Sequence, residues 1–409
     1  MNRREFLNHG TRTLAACVPA AALALGRVTE AAAGPRASAP GVFTLSGHAF
    51  LRPLPITMWD FSWLERRWPG AGYEDWDQAL DELQLRGYEA VRIDPYPHLL
   101  ALDPRRRWEI RPEWSTQDWG SQSLNWVQIQ PALNEFIEKC AARDIWVALS
   151  TWFQEDTTER FRWIKQPEDL GKAWQATLDS ISAAGLLGNI LYVDLVNEWP
   201  IDPWTPFLTK AQREDSRELH RWTTGAIGFL RQHYPRLSYT FSGFMVENPT
   251  ARDTEGFDLL DLHIWMAQSS FNGEVGYAFE RFDGKGYENI VKNAERVYRA
   301  RPKHWQGELR RFIQLAAAES RARRLPLVTT ECWGIIDYKD WPGLDWGWVK
   351  ELCELGTLEA ARTGRWVAIA TSNFAGPQFR GMWRDVAWHQ RLTDVIRAAP
   401  VAPDLLATG

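Results

Sequence analysis

The sequence predicts an α/β fold, a (β/α)8 TIM barrel in a single domain with long loops after its strands, and three observations lead there. Short β-rich apolar runs recur along the chain, each followed by a stretch of helical periodicity, which is the pattern of βα units feeding a parallel sheet. Eight such units are present, the count a closed barrel needs, whereas a doubly wound sheet commonly has about five or six strands. No GxGxxG or GxxxxGK sequence occurs, so the phosphate loop of a nucleotide-binding sheet is missing.

The eight runs, in order, are Pro55 to Trp59, Ala90 to Ile93, Ile145 to Ser150, Ile190 to Val196, Ser238 to Phe241, Leu259 to Ile264, Leu327 to Thr330 and Trp366 to Ala370. Between them lie helical segments such as Trp76 to Arg86, where Leu80, Leu83 and Leu85 alternate with Asp, Glu and Gln. Two connections, Asp94 to Asp144 and Trp265 to Leu325, exceed the length of one helix and its turns, and are expected to place extra loops over the active-site face.

The chain opens with Asn2-Arg3-Arg4-Glu5-Phe6-Leu7, an apolar run from Leu14 to Leu25 and Ala31-Ala32-Ala33, the order of a twin-arginine export signal with a small-residue cleavage site. Residues 1–33 are expected to be this signal, 34–43 a short N-terminal segment, 44–400 the barrel and 401–409 a C-terminal tail, with the protein periplasmic or secreted. Leu14-Ala15-Ala16-Cys17 also has the form of a lipoprotein box, but the apolar run continues past Cys17 instead of preceding it. The run is too short to span a bilayer and no stretch of 18 or more apolar residues follows, so no membrane span is expected.

Cleavage would remove four arginines and two glutamates, leaving 43 basic and 50 acidic side chains, a balance that offers nothing to nucleic acid. Cys140, Cys332 and Cys353 remain, an odd number without CxxC or metal-ligand spacing, which argues against a disulfide framework and a zinc site. About 375 mature residues fit one large α/β barrel, and no Ser/Gly/Pro linker or repeat interrupts the chain after about residue 42.

A barrel keeps its active site at the C-terminal ends of its strands, so the residue closing each run carries the chemistry. Run four closes on Val196-Asn197-Glu198-Trp199-Pro200 and run seven on Thr330-Glu331-Cys332-Trp333-Gly334. Either glutamate alone is weak evidence, the bland reading being a structural carboxylate that caps the next helix. Two at opposed strand ends can face one bond, and glycosidic bond cleavage asks for such a pair, about 5–5.5 Å apart when configuration is retained.

Asn197-Glu198 and Glu331 resemble the clan A retaining glycoside hydrolases, most closely the cellulase-like members near glycoside hydrolase family 5, over about Thr44 to Pro400. The resemblance implies Glu198 as general acid/base, Glu331 as nucleophile and Asn197 as donor to the sugar 2-hydroxyl. It also implies that Arg92, at the end of run two, orients the nucleophile, where the bland reading is a pair with Asp94 or another surface acid. Leu262-His263-Ile264-Trp265 matches the family's His-x-Tyr at the histidine, with Trp265 in place of the tyrosine. Where the family often stacks a tryptophan after strand eight, this chain has Ser372-Asn373-Phe374.

Four of the 24 tryptophans, Trp59, Trp152, Trp265 and Trp333, fall at strand ends and are expected to meet sugar faces, although core packing is an equal reading for each. Asn373 joins the expected substrate contacts, with Asp60, His98 and Phe374 as further candidates. The implied partner is an oligosaccharide or polysaccharide and no cofactor or metal is expected. A metal-dependent hydrolase on this fold would need clustered ligands, and of 8 histidines only His263 closes a strand. A sugar-binding barrel without catalysis shares the tryptophans but does not need both glutamates.

Overall fold

A computed structural model describes residues 41–112, 118–244, 252–266, 270–277 and 284–407. The expected export signal and residues 34–40 of the segment after it lie outside them. Eight strand positions form the barrel: β1 Leu54–Asp60, β2 Ala90–Ile93, β3 Trp146–Leu149, β4 Ile190–Asp194, β5 Tyr239–Thr240, β6 Leu260–Trp265, β7 Leu327–Thr329 and β8 Trp366–Ala370. All neighbouring pairs are parallel, and β8 returns to β1 through Ala368 opposite Leu54. The ring closes at the fifth position in two steps. Tyr239–Thr240 pairs with β4 and, past Phe241-Ser242, Gly243–Phe244 pairs with β6.

All but the fifth run carry Val, Ile or Leu, and they form strands with both faces covered, one by the barrel axis and one by helices. Helices start where the sequence supplies caps: the Asp75 carboxylate accepts from the backbone N–H groups of Asp77 and Gln78 ahead of Trp76–Leu85. The first long connection carries an antiparallel hairpin, Arg107–Ile110 with Asn125–Gln128, and the second three helices, Phe271–Val275, Gly284–Ala300 and Pro302–Arg323. The C-terminal residues pack on the barrel, with Arg365 paired to Asp404 and the Ala407 N–H donating to the Val42 carbonyl.

Side-chain parity decides what reaches the axis. Met58 and Asp60 on β1, Arg92 on β2, Tyr192 on β4 and Asp261 and His263 on β6 point inward, where they touch one another. A second hairpin, Phe43–Leu45 with His48–Phe50, lies at the other end of the barrel, where the Ser46 hydroxyl donates to the Leu191 carbonyl near the start of β4. Among the described residues no helix is long and apolar enough to cross a membrane.

Candidate active site

Glu198 follows β4 on a backbone of φ 51, a left-handed conformation uncommon outside glycine. Ser242, past β5, anchors that turn: its hydroxyl accepts from the Glu198 N–H at 2.9 Å and its carbonyl from the Trp199 N–H at 2.9 Å. Glu331 follows β7 and its carbonyl accepts from the Ile264 N–H. The two carboxyl groups converge with His263, one donor atom of each lying within 4.8 Å of the others. Both glutamates are almost fully buried, with 6 % and 4 % of their surface exposed, so their charges sit in low dielectric.

Arg92 organises the site. Its Nε and Nη2 donate to Asp60 Oδ1 and Oδ2 at 2.9 and 2.7 Å, and Nη2 also donates to Glu331 Oε1 at 2.6 Å. Nη1 faces His263 Nε2 at 3.3 Å and Asp261 Oδ2 at 3.8 Å. A guanidinium can only donate, so Nε2 is the accepting nitrogen of His263 and Nδ1 carries the hydrogen, aimed at Glu198 Oε1 at 2.8 Å. The second oxygen of Glu198 accepts from the Trp204 indole at 3.0 Å.

Burial pushes Glu198 up to about 7, opposed by the Trp204 hydrogen bond and the Arg92 charge. Burial likewise pushes Glu331 up to about 8, with His263 and Arg92 opposing and Glu198 and Asp60 reinforcing. The higher value falls on the residue that touches Arg92. The contact works against that order: a cation at 2.6 Å from Glu331, with no such contact to Glu198, favours negative charge on Glu331. Desolvation disfavours the charge on Arg92, but Asp60, Glu331 and Asp261 outweigh it and hold the guanidinium charged.

The Glu198, His263 and Glu331 donors have the spacing of a small metal site. Arg92 already provides the cation beside Glu331, so the group reads as an acid–base constellation. Asn197 is fully buried next to it, and neither its amide oxygen nor its nitrogen has a hydrogen-bond partner among the described residues. A buried amide in that state is suited to a ligand that both donates and accepts, as a sugar hydroxyl does.

Arg92, Asn197, Glu198, His263 and Glu331 therefore gather at one place, and Trp152 joins them by donating its indole N–H to Asp60 Oδ2 at 2.5 Å. Trp265 ends β6 on the inward parity of His263 and is buried. Asn373, after β8, is buried with its amide oxygen unpaired, and Phe374 packs on Trp346 and Phe379. Two of the expected sugar contacts face elsewhere. Trp59 lies between the inward Met58 and Asp60, so its ring points out to Tyr73 and Phe136. Trp333 donates to the Ala370 carbonyl at 2.9 Å, and its ring packs where a side chain on Gly356 of helix Gly347–Arg362 would stand. His98 is buried off the site, donating to the Gln154 carbonyl at 3.0 Å.

Sequence reasoning passed over Trp204 and Asp261. Asp261 shares the parity of His263 two residues away, a signal that was available. Trp204 reaches Glu198 from an irregular turn, the short 3-10 segment Asp202–Trp204, for which periodicity gives no sign.

A family model described as sugar-binding cellulase-like matches residues 56–397. A solved structure of a provisionally described glycoside hydrolase from Parabacteroides distasonis ATCC 8503 is 53% identical, covers 86% of this chain and 96% of its own, and superposes with a TM-score of 0.84. A xyloglucan-specific β-1,4-glucanase of glycoside hydrolase family 5 from a ruminal metagenomic library is 11% identical over 87% of this chain and 96% of its own, with a TM-score of 0.49. An endoglucanase from Thermotoga maritima is 13% identical over 78% and 89%, with a TM-score of 0.47. No curated protein matches the sequence. With the model spanning most of the barrel and a 53%-identical relative alongside it, the chain belongs to the sugar-binding cellulase-like family.

Proposed function

We propose that the protein is a retaining glycosidase of β-linked oligosaccharides or polysaccharides, acting by double displacement through a covalent glycosyl-enzyme. The observation that carries this is the buried Glu198–Glu331 pair, close enough to flank one glycosidic bond and electrostatically unequal because Arg92 touches only Glu331. In the first step the Glu331 carboxylate attacks the anomeric carbon while protonated Glu198 gives its proton to the leaving oxygen. In the second, Glu198 takes a proton from water, which attacks the same carbon and releases Glu331. The Asn197 amide, with donor and acceptor both unpaired among the described residues, is suited to a hydroxyl of the bound sugar.

The experiment is turnover of aryl β-glycosides and β-linked oligosaccharides with product anomers followed by NMR. Glu331→Ala is expected to abolish turnover while still binding sugar. Glu198→Ala is expected to keep activity on activated aryl leaving groups, with azide trapping the glycosyl-enzyme and restoring rate. An active Glu331→Ala, or an inverted product, would refute the mechanism. The family's description as sugar-binding supports a second reading, a barrel that binds saccharides without cleaving them. Binding by the wild type without turnover across the panel would select it.

A further inference from the structure

Asp60 takes no part in the proton transfers above, yet it touches both halves of the site. On one side its two oxygens hold Arg92 Nε and Nη2, and Nη2 reaches Glu331. On the other, Oδ2 accepts from the Trp152 indole at 2.5 Å, the Trp152 ring meets the Trp204 ring edge-on at 4.6 Å between centroids, and Trp204 donates to Glu198 Oε2 at 3.0 Å. An unbroken path of named contacts thus runs from one glutamate to the other. Asp60 sits at its middle, fully buried, on a backbone of φ 23 that side chains rarely adopt.

We propose that Asp60 is the positioning residue of this site, setting the place and charge of Glu331 through Arg92 and of Glu198 through Trp152 and Trp204. The inference rests on the reading of those glutamates as the reacting pair. The donor geometry allows little else at this position. All three groups around the carboxylate donate hydrogens, so an amide in its place would turn an N–H toward Arg92 or Trp152 and unseat one of them. Asp60 also shares the Arg92 charge with Glu331, so removing the acid leaves more of that charge for the two glutamates. The ionisable groups that face Glu198 are Arg92, Asp60, Asp261, His263 and Glu331.

The test is a substrate-independent titration of full-length protein carrying 15N-labelled tryptophan. The Trp204 indole signal is identified by its loss in Trp204→Phe, and its pH midpoint reads the ionisation of Glu198. Asp60→Asn is expected to lower the midpoint by about one pH unit and to cut kcat/KM on any glycoside the wild type cleaves by about a hundredfold. Trp152→Phe, which keeps the Asp60 charge but frees Trp204 from its neighbour, is expected to raise the midpoint. Opposite shifts in two folded variants support the assignment; unmoved midpoints in both overturn it, as would shifts of the same sign. If Asp60→Asn does not fold, Trp152→Phe decides alone, and an unmoved midpoint overturns the proposal. A wild type that cleaves nothing refutes the glycosidase reading while the titration still judges Asp60.

Discussion

His263 meets Arg92 and both glutamates, receiving Arg92 on one nitrogen and offering the other to Glu198. It was legible in the sequence because it closes a run at the parity that faces the axis. The same rule, applied to β1, would have turned Trp59 away from the cleft once Asp60 was placed in it, since adjacent residues of a strand cannot face the same side. Asn197 was legible by its neighbour Glu198, and the structure adds that its amide is buried and unsatisfied. Replacing it with alanine is expected to cost about a hundredfold or more in kcat, and to change the melting temperature little because no side-chain hydrogen bond to the described residues is lost. Glycosides lacking the 2-hydroxyl should show the same loss with the wild type and little further loss in Asn197→Ala. An additive loss would separate Asn197 from that hydroxyl.

At the scale of elements, every apolar run met a strand, seven of them because burial on both faces favours Val, Ile and Leu, while Ser238 to Phe241 carries none of these and forms only Tyr239–Thr240. The two hairpins were not legible: their strands are only three or four residues long, and Phe43–Leu45 and His48–Phe50 alternate too briefly to separate from loop. Helix Gly347–Arg362 shows how tightly the outer layer is fitted. A side chain on Gly356 would stand 2.4 Å from the buried Trp333 ring, itself pinned by a hydrogen bond to β8. Gly356→Ala is expected to destabilise by about 1–3 kcal/mol from overpacking, more than the roughly 1 kcal/mol of helix propensity it gains. Gly228→Ala, in helix Ser216–His233 with open space around it, should instead stabilise slightly. Thermal denaturation of the two variants checks both signs; equal stabilities would contradict the packing argument.

For the whole molecule, the barrel axis holds a concentration of acids that folding makes harder to ionise. Burial raises Asp94, Asp194 and Glu198 to about 7, and Glu65, which fastens the Ser121 N–H and the Tyr96 hydroxyl, to about 7 as well. Raised folded-state values mean that the native state binds more protons than the unfolded chain, so the associated stability is complete below the unfolded values near 4 and lost as pH rises through about 7. The melting temperature is expected to fall between about pH 5 and pH 8, read by calorimetry in one buffer series. A flat or rising profile over that window would mean these acids are ionised in the folded protein.

The hairpin at the start of the described chain has a practical corollary. Ser46 bonds to Leu191 and Ser238 near the beginnings of β4 and β5, whereas Glu198 and Glu331 lie past the ends of β4 and β7. The amino-terminal side of the barrel and its reactive mouth are therefore opposite poles of one ring. A bead or a fused module joined ahead of residue 41 would begin at the blind pole, so immobilisation through that end is the orientation that keeps the two glutamates within reach of solutes.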